Sequence, residues 1–453
     1  MNKFTKKLST FLFFTILSLF CFNAYSQEKG GTIGIDSINK KIDNLQSQFK
    51  VFKNLKISGY IQAQYQIADS TGAKTYEGGD FASGVDKRFM VKRGRLKVDY
   101  STPLTQYFIQ FDMSEKQFAT KDAYIRFTEP WYKTVSLTTG IFYRPFGHEL
   151  ANFDSPERSR YTQTIFPGEE DCGAMLTFQL PNTSPLNFIK IQGGMFNGIG
   201  PTASDFDKYK DFIGQIILSK SFFNGKLKVG LGASYYNGGF ANATKYVYSN
   251  IYTTSDGIKV FSFDSSATNK GSREKREYMG LDFQIYYDSP IGLTTIKGEC
   301  VKGTQPGTIS ASTSATVLPT ADTYVRNFNA YDVYFIQRIG KSKHQIIIKY
   351  DMYDPNKDVN GNEIGAITKE QSLNKVVKGI TTTGTDLKYH TLGLGWMYNW
   401  DSNITITAYY DNVKNETTKN IDFLKDSKGK ISGQTYINDF KDNVFTLRIQ
   451  YKF

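Results

Sequence analysis

NVFTLRIQYKF (Asn443–Phe453), the end of the chain, shows the period on which the rest is built. Phe445, Leu447, Ile449, Tyr451 and Phe453 are apolar at alternate positions, and Thr446, Arg448, Gln450 and Lys452 take the places between. Side chains of a strand point alternately to its two faces, so the segment predicts a strand with one apolar and one polar face. Upstream the same period recurs in Leu55–Ile67, Lys87–Tyr100, Thr105–Met113, Lys121–Glu129 and Thr134–Arg144. It continues in Cys172–Leu180, Leu186–Phe196, Lys210–Lys220, Leu227–Tyr236 and Tyr278–Tyr287. Leu293–Lys302, Asn327–Arg338, Gln345–Tyr353, Lys388–Asn399 and Ile404–Val413 complete a set of sixteen. About ten residues each is the length a tilted strand needs to cross the hydrocarbon of a bilayer.

The connections between these segments alternate in length. STPL, EPWYK, PNTSP, FNGK, DSPIG, GKSK and WDSN are short and carry turn chemistry, while Asn237–Glu277, Asp354–Asp386 and Lys414–Asp442 are long and polar. An up-and-down barrel gives such alternation when its two rims face different compartments, and a β-sandwich has no reason to keep it. Composition agrees: 30 tyrosines, 35 phenylalanines and 39 glycines accompany a negative mean hydropathy. Only alternate residues of a membrane barrel meet lipid, so its average stays polar. Trp131, Tyr132, Trp396, Tyr398 and Trp400 cluster near short turns, where an interfacial aromatic girdle would lie. The fold class expected is all-β, a sixteen-stranded antiparallel transmembrane barrel with a short N-terminal helix on the periplasmic side.

The first 26 residues read as an export signal: Lys3, Lys6 and Lys7, an apolar run Leu8–Phe22, then Ala24-Tyr25-Ser26 before the cleavage point. Residues 27–54 follow as a helix, with Ile35, Ile38, Ile42, Leu45, Phe49 and Phe52 at heptad-like spacings that could join copies or pack at the barrel mouth. Residues 55–453 form the barrel. Cys172 and Cys300 remain after cleavage and make no disulfide framework. Removal of the three lysines lowers the formal charge of +12, and no basic run or groove-reading module points to nucleic acid.

Catalysis is not expected. His148, His344 and His390 sit in no triad or metal spacing, and Asn152 stands where the second histidine of a His-Glu zinc helix would be needed. The basic strand Lys87–Tyr100 has more to offer. Leu96, Val98 and Tyr100 share one face, which leaves Arg93, Arg95 and Lys97 on the lumen side. By the same parity Arg126, Arg144, Lys190, Lys228 and Lys349 fall on polar faces, Arg144 opposite Ile141 and Tyr143. Cations ranked along a pore wall can pass an anion between weak sites, or simply pair with Asp112 and Asp351. The third long connection, Pro145–Asp171, turns sharply at Pro145-Phe146-Gly147 and is a candidate constriction loop. Glu149, Asp154, Glu157, Glu169, Glu170 and Asp171 oppose Arg158 and Arg160 there, a net of four negative charges that would face the basic strand.

RFMVKRGRLKVDY, GIFYRPFGHEL, GGMFNGIG near Gly193–Gly200 and KYDMYDPN at Lys349–Asn356 occur in an order that resembles the phosphate-selective porin O and P family. That resemblance implies a trimeric porin of sixteen strands with basic pore residues and an inward third loop. The acidic third loop departs from the family pattern. The expectation is passive diffusion of small hydrophilic solutes through a Gram-negative outer membrane, with mild anion preference. The expected partners are outer-membrane lipid, barrel-assembly machinery, a homotrimer and small anions, with no nucleic acid, cofactor or metal. A surface adhesin or scaffold acting through the long connections stays open, as does a barrel enzyme with a clustered His–Ser pair.

Overall fold

The computed structural model describes residues 40, 53–75, 78–116, 118–150, 158–166, 168–201, 203–374, 379–420 and 436–453. The expected signal and nearly all of the heptad helix lie outside these residues, as do Asp154 and Glu157.

Every expected strand is present. The chain runs through β1 (Leu55–Ala68), β2 (Lys87–Ser101), β3 (Thr105–Met113), β4 (Phe118–Thr128), β5 (Val135–Tyr143), β6 (Glu170–Gln179), β7 (Ile189–Phe196), β8 (Asp211–Phe222) and β9 (Leu227–Ala241). It continues through β10 (Val247–Thr253), β11 (Lys259–Asp264), β12 (Arg273–Ser289), β13 (Gly292–Gly307), β14 (Thr323–Arg338), β15 (His344–Asp354), β16 (Tyr389–Asn399), β17 (Ile404–Asn415) and β18 (Val444–Lys452). β9 pairs directly with β12, so the hairpin β10–β11 stands off the wall and sixteen antiparallel strands make the barrel. Closure comes from β1 against β18, in register from Tyr60↔Lys452 to Ala68↔Val444. At the seam Gly59 and Phe453 exchange backbone hydrogen bonds of 3.1 and 3.0 Å. A Cβ on Gly59 would meet the Arg95 carbonyl and come within 2.9 Å of the Phe453 ring, so a side chain there would disturb the seam.

The two faces are those of a barrel in lipid. Ile57, Ile61, Phe89, Leu231, Leu281, Leu447 and Ile449 are exposed on the outside, while Gln64, Gln66, Thr446 and Arg448 are buried toward the lumen. Water would not tolerate so continuous an apolar exterior on a monomer, whereas hydrocarbon requires it. Trp131, Tyr132, Trp396 and Trp400 are exposed at the short-turn rim, and the Trp396 indole N–H donates to His344 Nδ1 at 3.2 Å. The free thiols Cys172 and Cys300 also lie exposed, on β6 and β13.

The differences from expectation have local causes. β12, β13 and β14 extend well past ten residues toward the long-loop rim, where their outward positions become polar, as at Arg273 and Lys275. The connection 114–117 on that rim is short. An irregularity between Gln62 and Ala63 leaves Lys92 unmatched, so inward parity passes from Arg93 to Met90 and Arg88 while Phe89 turns outward. The hairpin β10–β11 falls in the expected loop Asn237–Glu277 and adds two parallel pairs to β14, at Thr323 and Tyr324. Its Tyr248 and Phe261 pack with Tyr324 in a small separate core, which gives that loop enough buried surface to hold a strand pair.

Candidate pore constriction

The connection from β5 to β6 folds into the barrel. Beyond Tyr143 the chain bends at Gly147, whose φ of 63° is a left-handed conformation, and a Cβ there would collide with the Glu299 carboxylate. The Gly147 N–H donates to Ser234 Oγ at 2.9 Å and its carbonyl accepts from Gln215 Nε2 at 2.8 Å. The N–H groups of His148 and Glu149 both donate to Glu299 Oε2, at 2.9 and 3.2 Å. The Glu149 carboxylate in turn accepts from Ser159 N at 2.8 Å, Ser159 Oγ at 3.0 Å and the Tyr334 hydroxyl. One helical turn and a half follows, α1 (Arg160–Ile165), and its Tyr161 hydroxyl donates to Asp332 Oδ2 at 2.8 Å.

Apolar packing holds the same course. Phe146, Leu150, Tyr161, Ile165 and Phe166 form one buried cluster with Phe196, Tyr236, Tyr278, Phe328 and Tyr353 of the wall. The Phe146 and Tyr278 rings meet edge to face at 6.3 Å. Apolar side chains inside a barrel have water as their alternative neighbour, so an aromatic patch on the lumen wall draws a loop with matching aromatics onto itself. The segment thus starts at β5 and is anchored on β13, β14 and β15, the last through Lys349 Nζ to the Arg158 carbonyl at 3.1 Å.

On the other side of the loop, cations gather around one carboxylate. Glu169 lies 3.9 Å from Arg93, 3.6 Å from Arg95 and 3.7 Å from Lys121, and it pairs closely with Arg158. Burial opposes its charge, but Arg158, Lys121, Arg93 and Arg95 outweigh that and hold its carboxyl well below the usual range. Arg93 and Arg95 also reach Asp112, at 3.6 and 3.5 Å, and the Arg95 guanidinium donates to the Tyr143 hydroxyl at 3.2 Å. Tyr143 is therefore not on the outer face where parity had put it.

The other nominated residues divide into three settings. By strand alternation Lys97, Arg126 and Lys190 lie on the lumen side next to outward Leu96, Phe127 and Ile191, and Lys228 lies there between Leu227 and Val229. Arg126 Nε donates to Thr138 Oγ1 at 3.1 Å, and with Lys133 and Lys190 it lines a polar recess of about 470 Å3 near the short turns. Lys228 lies over the Tyr286 ring. Lys349 is buried between Asp351 at 3.1 Å and Asp411 at 3.6 Å. Arg144 is sealed away from the pore: Nη2 donates to Asp171 Oδ2 at 2.9 Å and Nη1 to the Gly168 carbonyl. Asp171 also accepts the Gly198 N–H at 2.8 Å, and Glu170 is buried against Lys121 at 3.1 Å. Glu149, Glu169, Glu170 and Asp171 are thus all engaged at close range. Among the described residues of the loop, none of these four carboxylates faces the basic strand without a close partner. Arg160 lies 3.9 Å from the Tyr389 ring and 4.0 Å from Asp442, whose carboxyl is pushed up to about 7 by burial, with Arg160 opposing.

Sequence reading missed Arg448, Arg88 and Lys121. Arg448 Nε donates to Gln64 at 2.9 Å, and Arg88 makes two bonds to Gln66 at 2.9 and 2.8 Å. Arg448 was legible from the parity of the last strand. Arg88 and Lys121 were not, because each depends on a bulge.

No protein-family model matches the sequence, and neither does any curated protein. Among solved structures, the anion-selective porin from Comamonas acidovorans is similar at 11% identity and TM-score 0.48, covering 88% of this chain and 99% of that one. The outer membrane channel DcaP of Acinetobacter baumannii is similar at 11% identity and TM-score 0.46, covering 88% and 97%. OmpT of Vibrio cholerae, in its trimer form, matches at 11% identity and TM-score 0.46, covering 88% and 99%.

Proposed function

We propose that this protein is an outer-membrane porin through which small hydrophilic solutes diffuse passively, with a mild preference for anions. One observation carries the reading: a loop anchored across the barrel interior, with a cluster of Arg93, Arg95, Lys121 and Arg158 around a partly exposed Glu169 beside it. A barrel that served only as a surface scaffold would have no need to place arginines on a narrowed lumen. The cluster carries four cations for Glu169, Glu170 and Asp112, an excess of one that favours anions mildly. Glu169 already occupies its centre, so strong phosphate selectivity is not expected. Membership of the phosphate-selective porin O and P family, a trimeric state, export by a signal in residues 1–26 and a periplasmic helix over 27–54 complete the proposal. So does a permeation path lined by Arg93, Arg95, Lys97, Arg126, Lys190 and Lys228.

The test is conductance in planar bilayers with potassium chloride and potassium phosphate gradients. Ohmic channels with a small anion-directed reversal potential are expected. Purified, folded barrels that give no ion current would reject the proposal.

A further inference from the structure

The outside of the barrel is not uniform. Across β8, β9, β12 and β13 small side chains stand in register between large ones: Gly214, Ala233 and Cys300 among Ile216, Met279 and Leu281. The result is an apolar groove of about 920 Å3 on the lipid-facing wall, adjoined by a second of about 540 Å3 that shares Ile216, Ala233, Leu281 and Cys300. The outward side chains at its centre are exposed, as positions on the lipid-facing wall are. Lys302 is the single charged residue lining the larger groove, level with Met279 at its upper end. Farther up the same face, Lys275 and Arg273 follow on β12 at outward, exposed positions. Glu277 is the one carboxylate at an outward position among them on that strand, and it is engaged by Lys275 and by the Tyr235 hydroxyl at 2.5 Å.

The heights match a lipid. From Tyr287, exposed near the short-turn rim, β12 climbs roughly 30 Å along the barrel axis to Lys275, taking ~3.3 Å per residue and ~40° tilt. That distance is about the thickness of the hydrocarbon, so Lys275 and Arg273 stand at headgroup level of the leaflet on the long-loop side. Lys302 lies below them, where a lysine extends its ammonium upward to the interface. An open apolar groove ending under three cations, of which Lys275 is shared with Glu277, is complementary to a molecule with acyl chains below and anionic groups above.

We infer that this face holds one outer-leaflet glycolipid, its acyl chains in the groove and its phosphates on Lys302, Lys275 and Arg273. Charged headgroups near a membrane gain from each basic side chain, and three of them decide where the lipid stops along the wall. The inference rests on the outer-membrane placement proposed above. It is independent of the constriction, which lies inside the barrel.

Cys300 lines the groove and Cys172 is exposed away from it, so the native thiols report occupancy. The purified full-length barrel in detergent is titrated with a synthetic hexa-acyl disaccharide lipid bearing two phosphates, and alkylation of both thiols is followed beside native mass spectrometry. The lipid should slow Cys300 and leave Cys172 unchanged. Arg273→Gln/Lys275→Gln/Lys302→Gln should weaken that protection on the order of 100-fold. Ala233→Phe, which fills the groove, should abolish it while the cations remain. Equal protection by the dephosphorylated lipid, or no protection at all, would overturn the inference. So would Cys300 already shielded in lipid-free oligomers, since a second copy would then cover the groove. Conductance measured on the same samples separates the two claims: a conducting wild type that takes no lipid rejects only this one, and a lipid-bound barrel without current rejects only the porin.

Discussion

Two of the arginine–carboxylate clusters among the described residues differ in what surrounds them. In the first, Arg144 binds Asp171, and Arg276 binds Asp211 at 2.6 Å and the Gly198 carbonyl at 2.7 Å, all sealed from solvent. In the second, Arg93, Arg95, Lys121 and Arg158 surround a Glu169 whose side chain keeps 15% of its accessible surface. The first has traded all hydration for fixed geometry: Asp171 takes the Gly198 N–H, Asp211 takes those of Gly239 and the Tyr236 hydroxyl, and the chain bends are tied together. The second keeps an exposed edge, which the proposed function requires for contact with a passing ion. The same residue types make an anchor when closed and the proposed selectivity element when partly open.

The largest expected effect is on the sealed cluster. Asp211→Ala leaves the Arg276 guanidinium buried without its partner, a change that costs about 3–5 kcal/mol for such pairs. The heat-resistant folded band on gels should disappear or fall to much lower temperature. Arg276→Met combined with Asp211→Leu should recover part of it. Full stability of Asp211→Ala would mean that the cluster is not sealed.

Next comes the wall itself. Leu96→Asp puts a carboxylate on the lipid face, where a charge near the midplane costs roughly 2–4 kcal/mol, and should block membrane assembly. Lys97→Asp, one position along and facing the lumen, should assemble normally. Equal yields from the two variants would break the parity on which the pore assignments depend.

That parity was the legible part. Sixteen strands, their order and their faces follow from alternation, because lipid on one side and water on the other leave a strand little freedom of pattern. The inward course of residues 145–171 was legible only as a sharp turn. Its cause, the match of Phe146, Tyr161 and Phe166 to Tyr236, Tyr278 and Phe328, joins residues far apart in sequence. The same distance hid the fate of Arg144, which alternation placed on the pore wall and which Asp171 instead draws into the sealed cluster. Arg88 escaped because a single unmatched residue reverses every face beyond it. The hairpin β10–β11 escaped because its partners, Tyr324 at the start of β14 and Ile380 in the connection from β15 to β16, lie far away in sequence.

A smaller effect concerns the latch of α1 on the wall. Asp442 sits beside Arg160 with Asp69 and Asp439 also bearing on it, and its carboxyl is raised to about 7. A raised carboxyl favours the folded state while protonated and loses that contribution as pH rises through about 7. Asp442→Asn should therefore match the wild type in thermal stability near pH 3.5, below the ordinary carboxyl value of 3.8, and exceed it by a few degrees at pH 8.5, where the wild type carries the buried charge. An equal stability gain at both values would assign the effect to packing rather than titration.

The most direct test of the pore is the reversal potential across a potassium chloride gradient for the wild type and Glu169→Gln, measured at low and at high salt. Removing the central carboxylate leaves Arg93, Arg95, Lys121 and Arg158 without their shared counter-ion at the narrowed lumen. The account predicts a weak anion preference in the wild type and a clearly stronger one in Glu169→Gln. The difference should fade near 1 M salt as the screening length falls to about 3 Å. Arg93→Gln/Arg95→Gln/Lys97→Gln should move the potential in the opposite direction. A reversal potential that stays the same in all three proteins would contradict the account, because the charges beside the inward loop would then lie outside the path that ions take.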